Sequence, residues 1–239
     1  HLTTRRQRQM CIRDSFATNG HVASKTGSFL RWAVSSTFWA TPWALNTVTA
    51  PAGIWSSSCT KIAPFDNVHV RKALNYAVNK DLIVRHILLN RGGLANGPLS
   101  PGISGYDTNR LKGYEYNISK SRMHFREAGY QFDIHGMIKN FPNLTLQINQ
   151  SQLTKAIARV VQANLADLGI KLNLKSLPWS NHFQTIDRGE SGFFSLGWVA
   201  DYPDADNVLY NNFHTSSISS TYNSARYSCL LYTSDAADE

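Results

Sequence analysis

Trp198 and Asp201 stand three residues apart near the end of the chain and have the types and spacing of a ligand site. They follow the apolar run Phe193-Phe194-Ser195-Leu196 and stand in the stretch Trp198-Val199-Ala200-Asp201-Tyr202-Pro203-Asp204. A strand that ends in such a loop delivers polar side chains to the carboxyl edge of its sheet, where open α/β folds bind ligands. Trp198 offers apolar area and one N–H donor, and Asp201 offers a carboxylate beside it. A carboxylate at the mouth of an apolar pocket is costly when unpaired, so the arrangement selects a cation, and an ammonium group satisfies it. Val199, Ala200 and Tyr202 complete the candidate set. A plainer reading stays open, with Asp201 capping a nearby helix and Trp198 packed in the core.

Other chemistries fit less well. Asp201, Asp204 and Asp206 lack the central Gly and terminal Glu of a calcium loop, and Asp204 and Asp206 are expected to cap a helix starting near Ala205. Carboxylates adjacent in one loop do not flank a sugar across a cleft. No nucleophile–base pair or phosphate loop appears, so no enzyme and no cofactor are expected. His69, His86, His124, His135, His182 and His214 form no His-x-x-x-His pair, so no metal site is expected from spacing. Gly92-Gly93 lacks the strand–glycine–helix context of a nucleotide site and reads as a turn.

The elements that must position Asp201 follow from periodicity. Asp66 or Asn67 can cap a helix with Val70, Ala73, Leu74, Ala77 and Val78 on one face. Asp81 starts a shorter turn through Leu88, closed by Arg91-Gly92-Gly93. Asn117 can cap a helix over Ile118–Ala128, with Gly129 as its left-handed stop and Tyr130 as the apolar residue beyond. Leu144–Ile148 alternates like a half-buried strand, Leu153–Leu168 is amphipathic, and 170–175 alternates again after Gly169. Such a strand–helix–strand unit makes parallel strands and places the ligand loop at one edge of a mixed sheet flanked by helices. A short helix over His182–Arg188 then leads to a strand over Gly192–Leu196. The fold class is α/β.

Four ordered blocks resemble the family 5 extracellular solute-binding proteins, the peptide-, dipeptide- and nickel-binding receptors of ABC importers. They are Pro64-Phe65-Asp66-Asn67-Val68-His69-Val70-Arg71-Lys72-Ala73-Leu74-Asn75-Tyr76-Ala77-Val78-Asn79-Lys80, Glu127-Ala128-Gly129-Tyr130, Gln162-Ala163-Asn164-Leu165-Ala166-Asp167-Leu168-Gly169-Ile170, and the stretch from Phe194 to Asn207. The resemblance covers 61–228 and implies a periplasmic-binding-protein-like fold of two lobes and a hinge, with mainly the second lobe present. One lobe alone is expected to bind weakly or not at all, because closure buries the ligand between two. In peptide-binding members the aspartate of Trp-x-x-Asp pairs with the peptide α-amino group, which implies that role for Asp201 with Trp198 beside it. The implied partners are an oligopeptide or dipeptide ligand and an ABC permease in the membrane. A monomer is expected, in the periplasm or as a cell-surface lipoprotein. Two alternatives remain: another amine-bearing or metal-chelate ligand of the nickel type, or a non-binding interaction domain on the same scaffold.

The ends of the chain read differently. Arg5-Arg6-Gln7-Arg8-Gln9-Met10-Cys11-Ile12-Arg13-Asp14-Ser15 and Cys229-Leu230-Leu231-Tyr232-Thr233-Ser234-Asp235-Ala236-Ala237-Asp238-Glu239 can be encoded by one DNA string read in its two directions. That string resembles the transposase adapter of sequencing libraries, so 1–15 and 229–239 are expected to lie outside the fold. The segment 16–60 carries Trp32, Trp39, Trp43 and Trp55 but no Asp or Glu, and is expected to be out of frame or, failing that, an unusual apolar hairpin. Without the ends only Cys59 remains, which excludes a disulfide framework. The formal net charge of +8 survives their removal, since four Arg and one Asp at one end offset three acids at the other. The basic residues are dispersed, so a solvated surface is expected and nucleic acid is not.

Overall fold

The structure, a computed structural model, describes residues 57–58, 62–91, 94, 113–197, 204–219 and 222–228. The adapter-like ends and all of 16–60 except Ser57–Ser58 lie outside the described residues.

Asn67 opens α1 (Val68–Ala77), its Oδ1 accepting from the His69 N–H at 2.8 Å. Val70, Ala73, Leu74 and Ala77 are buried on one face, as three- and four-residue spacing requires. Asn79 caps α2 (Lys80–Leu82), which runs into a π-helical turn over Ile83–Ile87. The chain does not wait for glycine to leave this helix, as the sequence suggested. Leu89 and Asn90 take positive φ of 51° and 56°, and the Asn90 N–H bonds back to the Val84 carbonyl at 3.0 Å. Backbone bonds made two residues earlier therefore close the helix, and Gly92-Gly93 lies outside the described residues.

α3 (Ile118–Glu127) is capped by Asn117, whose Oδ1 accepts from the Lys120 N–H at 2.9 Å. It stops where Gly129 takes φ +92° and the Tyr130 N–H reaches the Phe125 carbonyl at 2.9 Å. α1 and α3 lie close because Ala73 and Ser121 are small, and Ser121 Oγ donates to the Ala73 carbonyl at 2.8 Å. Two buried basic side chains sit beside this pair. Arg71 donates to the Phe65 and Asp66 carbonyls, and burial pushes its pKa down to about 9, still charged at neutral pH. Lys80 donates to the Tyr114 carbonyl at 2.5 Å, and burial lowers its pKa to about 7.

β2 (Leu144–Asn149), α4 (Gln152–Ala166) and β3 (Leu172–Leu177) form the expected unit, with β2 and β3 parallel from Leu144↔Leu172 to Asn149↔Leu177. Gly169 ends α4's overrun at φ +81°, where an added Cβ would also come within 3.1 Å of Met137 Cβ. Leu144, Leu146 and Ile148 share one face of β2 and join Ile157, Ala158, Val161 and Leu165 of α4 in the core. Gln147 points to the other face, where it bonds to α5 (Trp179–Asp187). That helix starts three residues earlier than expected, since Pro178 can stand at its N-cap and its carbonyl accepts from the His182 N–H at 2.8 Å.

β4 is shorter than the strand expected over Gly192–Leu196. It comprises Phe193–Phe194, pairs parallel with β2 at Gln147↔Phe194, and pairs antiparallel with β1 (Ser57–Ser58) on its other side. The two-residue neighbour β1 leaves little ladder to extend it. The sheet is mixed, in the order β1-β4-β2-β3, with helices on its faces. α6 (Ala205–Phe213) and a 3₁₀ turn over Thr215–Ser219 follow.

Candidate functional site

The carboxyl end of β4 is clamped by buried polar groups from two elements. The Ser195 N–H donates to the Gln147 carbonyl at 2.9 Å, which continues the β2 pairing one residue past β4. The Ser195 carbonyl can only accept, so the His182 ring nitrogen 2.6 Å away, Nε2, carries the proton and donates. In the neutral ring Nδ1 is then an acceptor. Gln147 Nε2 supplies a donor to it at 3.2 Å while also reaching Thr185 Oγ1 at 2.7 Å and the His182 carbonyl at 3.1 Å. His182 is fully buried, and that burial lowers its pKa, so the neutral tautomer that the hydrogen bonds require is also the one favoured by desolvation.

On the far side of residues 198–203 in sequence stands α6. Asp204 is its N-cap, its Oδ1 accepting from the Asp206 N–H at 2.8 Å, and Asp206 stands in the first turn as the helix dipole favours. α6 buries Val208 and Phe213, and Phe213 meets Tyr227 edge-on at 6.3 Å. Asn223 holds that tail: its Nδ2 donates to the Tyr227 and His214 carbonyls, and its Oδ1 accepts from the Tyr227 N–H. Gly197 and Asp204, the described residues on either side of 198–203, are both exposed.

Trp198, Val199, Ala200, Asp201 and Tyr202 fall between these anchors in sequence and lie outside the described residues. The Gln147–His182–Thr185–Ser195 network is a feature that sequence reading missed. Its only sequence signal was a Gln at a position in β2 whose neighbours Leu146 and Ile148 are apolar. The histidines behave similarly. Helix packing brings His69 of α1 beside His124 and Glu127 of α3, a meeting across 55 residues that no short spacing could show.

The family described as bacterial extracellular solute-binding proteins, family 5 Middle, matches residues 21–220. The chain belongs to this family. Family 5 members are solute-binding proteins and not enzymes, and the match reaches well upstream of Lys61, where the resemblance in the sequence alone began. Relatives include the heme-binding protein A of Haemophilus influenzae, 31% identical over 72% of this chain and 31% of that protein. The dipeptide-binding protein of Escherichia coli is 28% identical over 61% of this chain and 26% of the relative. The oligopeptide-binding protein AppA from Bacillus subtilis, solved with a nonapeptide, superposes with a TM-score of 0.66 at 26% identity, covering 78% of this chain and 38% of that one. The chain thus spans about a third of the length of the family 5 proteins it matches. Its α/β fold is that of the periplasmic binding proteins.

Proposed function

We propose that the protein is the ligand-capturing lobe of a peptide receptor, with Asp201 pairing the free α-amino group of a peptide and Trp198 covering the adjacent apolar surface. The peptide lies extended against Val199, Ala200 and Tyr202, and a second lobe closes over it before delivery to an ABC permease. The receptor works as a monomer in the periplasm or as a cell-surface lipoprotein. The observation that carries this reading is the immobilised end of β4. Ser195 is held on both its N–H and its carbonyl three residues ahead of Trp198, so a loop begun there starts from a fixed point. Membership of a family whose relatives include dipeptide- and oligopeptide-binding proteins supports it.

Calorimetry on the intact two-lobed receptor tests the assignment. Asp201→Ala should weaken binding of free-amine peptides by about 3–5 kcal/mol, because the ammonium is left buried and unpaired. N-acetylated peptides should bind the variant and the parent alike. Unchanged affinity of the variant for free-amine peptides would remove Asp201 from the site. A second reading, a heme ligand, is favoured by the 31% identity to the Haemophilus influenzae heme-binding protein A. Absorbance titration with hemin, with and without competing peptide, separates the two.

A further inference from the structure

His69 projects from α1, and His124 and Glu127 project from α3 one turn apart, so an i,i+3 pair faces a third polar group across the helix interface. The two imidazole Nδ1 atoms are 3.5 Å apart. Glu127 Oε2 lies 2.7 Å from His69 Nδ1 and 2.5 Å from His124 Nδ1. Among the described residues this is where three such ligand atoms converge. The ring of Tyr76 stacks on His124 at 5.6 Å with an interplanar angle of 13°, which holds that imidazole in plane.

Hydrogen bonding alone uses this arrangement poorly. Both imidazoles would have to aim an Nδ1–H at the same carboxylate oxygen from neighbouring positions. With the protons on Nε2 instead, both Nδ1 atoms and the carboxylate oxygen are free to donate electron pairs, and the three lie within 3.5 Å of one another. Zinc–nitrogen bonds of about 2.0–2.1 Å at tetrahedral angles place ligand atoms about 3.3–3.4 Å from each other, close to the observed nitrogen separation. The Glu127 oxygen must retreat by less than an ångström to match, and its side chain is 42% exposed and free to do so. Two imidazoles and one carboxylate suit zinc and its neighbours in the transition series and not calcium or magnesium, which take oxygen ligands. His69 is 37% exposed, so the open side of the cluster admits both the ion and a water as fourth ligand.

We propose that His69, His124 and Glu127 form a site for one divalent transition-metal ion, of which zinc is the best fit, and that the ion pins α1 to α3. The site uses none of the residues assigned to the peptide and stands or falls separately from them.

Titration of the full chain with zinc chloride, followed by calorimetry and by thermal unfolding, tests the site. One zinc per chain should bind and raise the unfolding midpoint, since an ion that binds only the folded form stabilises it by mass action. Magnesium and calcium chlorides should leave the midpoint where it was. E127Q should lose more affinity than the about 10–100-fold typical of removing a group outside the coordination sphere. The double variant H69Q/H124Q should lose binding altogether, and H86Q/H135Q should bind like the parent. Absence of zinc uptake, or equal zinc affinity in E127Q and the parent, overturns the proposal. So does equal loss in H86Q/H135Q. Glu127 is exposed at the end of its helix, so E127Q remains decisive even if the histidine variants fail to fold.

Discussion

At the end of β4, His182 is fully buried and both ring nitrogens are hydrogen-bonded within the protein, whereas on the α1–α3 side His69 and His124 reach solvent and share one carboxylate. The same side chain is thus put to opposite uses. Burial favours the neutral form of His182, and its hydrogen bonds to the Ser195 carbonyl and Gln147 fix the tautomer. Partial exposure leaves His69 and His124 open to solvent on one side of the carboxylate they share. A fixed polar network holds the end of β4 in one geometry.

The comparison breaks most visibly at Lys80, which supports the α1–α3 side through Tyr114 and, edge-on at 4.7 Å, Tyr76. Its pKa of about 7 when folded lies below its ordinary 10.5, so between those values the unfolded chain holds more protons and stability rises with pH. The stability difference between the parent and Lys80→Met should therefore grow by on the order of a few kcal/mol from pH 7 to 10.5, as measured by urea unfolding. A flat difference would mean that Lys80 is solvated.

Next in size is the clamp itself. Gln147→Leu removes the donors to His182, Thr185 and the His182 carbonyl and leaves those groups buried, so it should cost about 1–3 kcal/mol in chemical unfolding. The same substitution should weaken peptide binding by the intact receptor, which a purely structural network would not do beyond its effect on stability.

The buried histidine sharpens the contrast by its pH dependence. Its folded pKa is held below the ordinary 6.5 by burial, so stability is fully present above 6.5 and falls as pH drops below it, levelling off once the folded form also protonates. His182→Gln should erase that slope, and unfolding midpoints collected from pH 4 upward would show it. The smallest effect belongs to Glu127. Its carboxylate is held below the usual range, first by the His124 hydrogen bond and also by His69, but it is exposed. Without metal, Glu127→Gln should leave the unfolding midpoint nearly unchanged, because exposed ion pairs contribute little. With zinc present the two proteins should diverge.

Local chemistry made much of this legible in the sequence. Asn67, Asn117 and Asp204 cap helices where a short polar side chain precedes an apolar period, and Gly129 and Gly169 stop them where only positive φ continues the chain. The alternation of β2 and β3 around an amphipathic helix made the parallel pair readable, since period and length agree. What stayed hidden depended on partners distant in sequence. Pairing of Ser57–Ser58 with Phe193–Phe194, the turn at Leu89 and Asn90, and the meeting of His69 with His124 are decided by packing, which no single stretch encodes. The proposal for Trp198 and Asp201 rests on local signals alone, their types and the apolar run before them.

The position of β1 at one edge of the sheet has a consequence for the order of events during synthesis. Ser57 leaves the ribosome long before Phe194, its partner, exists. At about 5–20 residues per second the segment waits on the order of ten seconds or more for a strand to lie against. During that interval β2, α4 and β3 can already have closed on one another, since their contacts are near in sequence. A long apolar strand left waiting would invite pairing with other nascent chains. A strand of two residues offers little ladder for such pairing, and the last seam of the sheet is thus also its least adhesive.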